Sequence, residues 1–240
     1  MGVIPHFLAV ENCTMTVRDD INQYITYFKK QNREIAEIIA LPVFKKVLYL
    51  VEIDTLSRAA FPMVSGNRKR VLQFIDTCSN WNDKDRVSVV QLKFALEGNG
   101  IQSGQLYESI NRRIDSWDYG HIIPPDNDLT LKETQHLAIP TEQKYVNNSR
   151  YAELLYTYRN HLLHEFREPG HGMDVGADIT TPYYLGMDHL TGQSSWELVF
   201  PIHFLQSLCE GCINGLEVYL IANGLNPYDA YQFGTMWQRS

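Results

Sequence analysis

The chain has 240 residues, 44% of them apolar and 20% charged, with a net charge of −7 at neutral pH, the ordinary make-up of one folded unit long enough to bury a large core. The acidic balance opposes strong nonspecific nucleic-acid binding, which depends on many Lys and Arg contacts to phosphate. No apolar run approaches the roughly 20 residues of a membrane-spanning helix, and the first ten residues lack both the basic start and the apolar stretch of a signal peptide; the expectation is a single domain over residues 1–240, cytoplasmic and away from membranes.

Hydrophobic periodicity makes most of the chain helical. An amphipathic N-terminal helix falls within about residues 15–40 and is clearest from Asp20 to Ala40, where Ile21, Tyr24, Ile25, Phe28, Ile35 and Ile38 recur among charges. Pro42 separates it from Val43–Phe61, which is richer in apolar residues and should be central. Asp54 falls on the apolar side of that helix near Val47, Leu50 and Val51, where an unpaired carboxylate is costly. Arg58, one turn on, is its local candidate partner. Arg68–Cys78, Lys84–Glu97 and Ser103–Asp115 continue the helical pattern, and Trp117–Pro140, with its glycine, prolines and Asp126-Asn-Asp128, reads as an irregular insertion over the surface. A long helix follows from about Thr141 to Phe166, with a break indicated around Asn147-Asn148. Pro182–Met187 and Ser195–Phe200, separated by Asp188–Gly192, suggest a β-hairpin at about 182–200. A last helix opens at Pro201 and stops at Asn223-Gly224. Beyond it, Tyr228, Tyr231, Phe233 and Trp237 form an aromatic tail that should dock on something.

Cys13, Cys78, Cys209 and Cys212 do not make a disulfide framework in a chain this long. Cys209-Glu-Gly-Cys212 has zinc-like spacing without a second Cys/His pair, so these read as small thiols packed in a helix. His161, His164 and His171 lack a partner carboxylate in an HExxH-type arrangement; no metal and no cofactor is expected. Positive charge gathers at Lys45-Lys46 and at Asn67-Arg-Lys-Arg70, which read as a solvated helix end and a turn unless a second subunit sets them around a shared groove.

Function is concentrated on the helix Tyr151–Phe166. Tyr151, Leu155, Tyr158, Leu162 and Phe166 stack into an apolar stripe, and Glu153, Tyr156, Asn160, His164 and Arg167 stack on the opposite side, with Arg159 on the flank between. Arg159, Asn160 and His164 together resemble the Arg-polar-x-x-x-His motif of HEPN domains. Leu48–Pro62 with Gly66–Ile75 upstream, and Trp196–Leu205 downstream, resemble the flanking elements of stand-alone bacterial HEPN-like proteins, so that the likeness spans roughly residues 40–230. It implies an all-α, HEPN-like helical bundle, its core at about 41–230, with the hairpin as a small insertion. It makes Arg159 a second candidate partner for Asp54, and implies a homodimer whose shared groove is lined by Glu153, Tyr156, Asn160 and His164.

Two functions follow from the resemblance. One is a metal-independent endoribonuclease with a toxin or defence role, acting on RNA as a dimer and restrained by an antitoxin or regulatory protein. An imidazole such as that of His164 moves protons near neutral pH, the Arg159 guanidinium clamps a phosphate at two points, Asn160 orients either group, and Glu153, Tyr156 and Asp54 support them. The other is a noncatalytic HEPN-like module in which Arg159 and His164 only brace the fold.

Overall fold

The computed structural model describes residues 16–39, 41–175, 178–192 and 194–230. In chain order the helices are α1 (Val17–Glu37), α2 (Pro42–Ala60), α3 (Asn67–Cys78), α4 (Val89–Glu97), α5 (Gln105–Ile114), α6 (Leu131–Leu137), α7 (Gln143–Asn148), α8 (Tyr151–Glu165) and α9 (Ile202–Asn223). Among the described residues two antiparallel ribbons accompany the helices: β1 (Arg86–Val87) with β2 (Leu129–Thr130), and the hairpin β3 (Tyr183–Asp188) with β4 (Ser194–Val199). The architecture is mainly α with a small hairpin, as the sequence indicates. The break in the long helix falls at Ser149-Arg150, two residues past the predicted place.

Helices α1, α2, α3, α8 and α9 enclose the larger core, with α2 touching the other four. α1 begins with a capping box in which Thr16 and Asp19 satisfy each other's backbone N–H groups. α8 runs antiparallel to α2, since Arg159 meets Asp54 while Phe166 packs on Phe44 with ring centroids 5.5 Å apart. α9 lies directly on the end of α3: a side chain at Gly211 would strike Asn80, and one at Gly215 would fall on the Cys78 carbonyl. Only glycine permits that approach. Cys78, Cys209 and Cys212 are buried free thiols, as expected, while Cys13 lies outside the described residues. Tyr228 docks edge-on against Tyr24 of α1, 5.8 Å between centroids; Tyr231, Phe233 and Trp237 also lie outside the described residues.

A second apolar cluster corrects the reading of Trp117–Pro140 as a surface insertion. Trp117, Ile123 and Leu129 are buried against α4, α5 and Val146 of α7, and the stretch forms β2 and α6. Turn residues dominate its sequence because it changes direction repeatedly, not because it is superficial. Lys84–Glu97 also differs from the prediction, since Asn82–Asp85 is a 3-10 turn leading into β1 and the helix starts only at Val89, capped by Ser88.

The two clusters are joined by one buried carboxylate. Asp128 accepts hydrogen bonds from the Tyr151 hydroxyl (2.5 Å), the Tyr184 hydroxyl (2.6 Å) and the Val89 amide (3.0 Å), so it ties the starts of α4 and α8 to β3. Burial pushes its carboxyl up to about 6, with the tyrosine bonds opposing. In the larger core Glu52 is buried too, accepts from the Cys209 thiol at 3.3 Å, and is pushed by burial up to about 7.

These shifts have a definite sign. Unfolded Asp and Glu titrate at about 3.9 and 4.3, so between those values and about 6 for Asp128 and about 7 for Glu52 the folded state holds protons that the unfolded chain has released. Stability therefore falls as pH rises through that window. Urea unfolding should show a less stable protein at about pH 8 than at about pH 5, and Glu52→Gln should narrow the difference; an unchanged gap in the variant excludes Glu52 as a cause. Tyr184→Phe deletes one hydrogen bond to the Asp128 carboxylate and should cost about 1.5–3 kcal/mol in the same experiment.

Candidate functional site

Asp54 is the centre of the site. It is only 8% exposed, and its carboxylate oxygens lie 3.2 Å from Arg159 of α8, 3.4 Å from Arg70 of α3 and 3.6 Å from Arg58 one turn along α2. Both arginines nominated by the sequence are thus present, and Arg70 is a third that sequence reasoning missed. Its signal was available: Arg70 precedes Phe74 by one helical turn, and Phe74 is fully buried, so that face of α3 points inward. Instead of an exposed turn with free charge, Arg70 also donates to the Ser57 hydroxyl at 3.1 Å and to Asn67.

Arg159 is 9% exposed. Beside Asp54 it donates to the Asn160 side-chain oxygen at 3.0 Å and lies over the Tyr156 ring, 5.7 Å from its centroid. Its Nε is buried without a hydrogen-bond partner among the described residues. Tyr156 is partly buried beneath the guanidinium, and Glu153 is turned towards α3, where it pairs with Arg68 at 2.8 Å. Burial raises the Glu153 carboxyl, and Arg68 counters it.

His164 is exposed near the end of α8. It stands five residues after Arg159, about 140° further round the helix at about 100° per residue, so one faces α2 and the other faces solvent. Within one chain the proposed trio divides into an inner pair, Arg159 with Asn160, and an outer His164.

Two expectations are overturned nearby. Phe166 does not extend the buried stripe: α8 ends before it, Phe166 takes a left-handed conformation (φ 55°) and remains 57% exposed against Phe44. The stripe closes at Leu162. Lys46 belongs neither to a solvated helix end nor to a basic surface patch; its ammonium is fully buried, 3.0 Å from Glu168 and 3.5 Å from Asp174. Those acids belong to the loop after α8, which Tyr158 anchors by donating to Glu168 at 2.6 Å and Asp174 by accepting from the Ile202 amide at the start of α9. Lys45 instead donates to the Ala36 carbonyl at the end of α1.

Among the described residues no group of three or more His, Cys, Asp or Glu is arranged to hold a metal ion. His161 faces Glu165 at 3.0 Å, and His171 packs edge-on against His189. No described helix is long and apolar enough to cross a membrane. No protein-family model, curated protein or solved structure matches the chain.

Asp54→Asn should cost about 3–5 kcal/mol in chemical denaturation, because Arg70 and Arg159 would keep buried charge without a counter-ion. Arg58 is 60% exposed at its side chain, so Arg58→Ala should cost no more than about 1 kcal/mol. Equal effects from the two would contradict this division between buried and surface partners.

Proposed function

We propose that the chain is a metal-independent endoribonuclease of HEPN type, working as a homodimer in a toxin or defence setting where an antitoxin or regulatory protein restrains it. The observation that carries this reading is the charge balance at Asp54. Three guanidinium groups share one carboxylate there, which leaves a local surplus of positive charge in a chain that is acidic overall. An oriented, partly desolvated cluster of guanidinium groups is suited to a phosphodiester.

In the proposed reaction an imidazole, that of His164, removes the proton from a ribose 2′-hydroxyl. The 2′-oxygen attacks the adjacent phosphorus, the bond from phosphorus to the 5′-oxygen breaks, and that oxygen takes up a proton; the products are a 2′,3′-cyclic phosphate and a 5′-hydroxyl. Arg159 stabilises the charge that builds on the phosphoryl oxygens. Asn160, already bonded to Arg159 at 3.0 Å, holds the guanidinium plane.

A second reading has its own support. The Arg159 guanidinium is nine-tenths buried and engaged by Asp54 and Asn160, as a structural brace would be, and a noncatalytic module needs no more. Purified protein incubated with an RNA pool and a chelator separates the two. The ribonuclease reading expects cleavage that survives the chelator, varies with pH where imidazole titrates, and drops by about 10²–10⁴ in His164→Ala while the variant stays folded. Arg159→Lys should also be impaired, since an ammonium cannot reproduce the planar two-point contact. Equal cleavage by wild type and His164→Ala would expose a contaminating nuclease, and no cleavage of any RNA would leave the brace reading.

A further inference from the structure

Between α1 and α2 lies a groove of about 400 Å³, within the size range of small-molecule sites. Phe28, Gln31 and Ile35 line it from α1, and Leu48, Val51 and Thr55 from α2, each set spaced by three or four residues so that it shares one face of its helix. Tyr27 belongs to the same wall, and its ring meets that of Phe28 edge to face with centroids 5.1 Å apart. The lining also includes two carboxyl groups, Glu34 and Glu52, and no lysine, arginine or histidine. Glu34 stands exposed at the rim, where Lys30 approaches it at 3.6 Å.

Glu52 is different, being only 5% exposed. One of its oxygens accepts from the Cys209 thiol, whereas the other, Oε1, is buried without a hydrogen-bond partner among the described residues. Nδ2 of the neighbouring Asn32 is likewise unpaired, so the two do not satisfy each other. A carboxyl oxygen held away from water without a donor is costly, and here it belongs to a residue that lines an apolar groove. What the site lacks is a donor, and what its lining selects is a cation with an apolar body.

We infer that this groove binds a small primary amine in its ammonium form, the nitrogen donating to Oε1 of Glu52 and the apolar body lying between the Tyr27 and Phe28 rings and the side chains of Leu48 and Val51. The class follows from the chemistry of the walls. An anion would meet two carboxyl groups, and a hydrocarbon would leave Oε1 without a donor. A neutral alcohol could donate but would not balance the charge, whereas an ammonium does both and gains further from the faces of aromatic rings. Glu52 and Asp54 stand about 200° apart around α2, so the groove lies on the other side of the helix from the guanidinium cluster and the inference does not rest on the ribonuclease reading.

The groups that face Glu52 are Asn32 of α1, Tyr49 of its own helix, and Cys209 with Cys212 of α9. Burial pushes Tyr49 up to about 12 and holds both thiols above their ordinary range, so Glu52, pushed up to about 7, is the member of this set that titrates near neutral pH. A simple alkylamine stays charged to about pH 10. Binding therefore tightens as pH rises and Glu52 releases its proton, by about tenfold between about pH 6 and about pH 8.

Calorimetric titration of the full chain with 2-phenylethylamine at about pH 8 should show saturable binding in the millimolar range or tighter. Under the same conditions 2-phenylethanol, of the same shape but uncharged, should bind at least about tenfold more weakly, and 3-phenylpropanoate should not bind. Glu52→Gln keeps an acceptor for the Cys209 thiol; it should weaken amine binding about tenfold or more and remove its pH dependence, with circular dichroism unchanged. Should that variant fail to fold, Val51→Lys, at a position 42% exposed, sets a cation at the mouth of the groove and should weaken the amine without disturbing the core. No amine binding by the wild-type chain overturns the inference, including the case in which light scattering shows a second copy covering this face. Equal affinity for amine and alcohol, or binding that neither substitution weakens, overturns it as well.

Discussion

Helix α2 is enclosed by four neighbours but carries Lys46, Glu52 and Asp54 at positions with little or no exposure. A buried charge without a counter-ion costs several kcal/mol, so Lys46 and Asp54 need ionic partners, whereas Glu52, whose carboxyl burial pushes up to about 7, needs a hydrogen bond. Each is answered from a different side. Lys46 draws in Glu168 and Asp174 from the loop after α8, Glu52 turns to Cys209 of α9, and Asp54 gathers Arg70 from α3 and Arg159 from α8. Apolar packing alone would let α2 rotate or slide by a turn with modest penalty. The polar set specifies rotation and height together, because a turn or a slide of α2 would part Lys46, Glu52 and Asp54 from these partners at once.

The same arrangement explains how an acidic chain keeps a cationic cluster around one carboxylate. Acids are spread over its exterior, whereas around Asp54 guanidinium groups outnumber carboxylates, and the low local polarisability makes that surplus count for more than the same charges would in water. Arg159 is thus structural and electrostatic at once. Its bond to Asp54 limits the rotamers it can sample, and the aromatic ring of Tyr156 below it and the Asn160 amide beside it limit them further. A side chain held in this way has already lost most of its conformational freedom in the folded protein.

Much of the framework was legible in the sequence, since helices such as α1 and α8 announce themselves by the spacing of Ile21, Tyr24, Ile25 and Phe28 or of Tyr151, Leu155, Tyr158 and Leu162. The Asp54 pairing was legible for a related reason: a carboxylate on an apolar face demands a cation. What escaped was decided by contacts between segments far apart in the chain. Lys46 looks like a surface lysine until Glu168 arrives from 122 residues away. Residues 117–140 look like a surface loop because local composition reports turns but not what they enclose. Phe166 continues the helical spacing and yet leaves the helix, since the chain must reverse there to bring Glu168 back to Lys46.

The contact of α9 with α3 also bears on the order in which the molecule forms. Gly211 and Gly215, both in the middle of α9, let it rest on Asn80 and Cys78 without intervening side chains, but each weakens an isolated helix by about 1 kcal/mol relative to alanine. These two positions make α9 depend on docking more than its length suggests, and it follows α1 to α3 and α8 in the chain. Closure of the larger core waits for the segment made after all of them. Phe74, Ile53 and Tyr24 share one core with α9, so that core is complete only once the last of its five helices in chain order has docked.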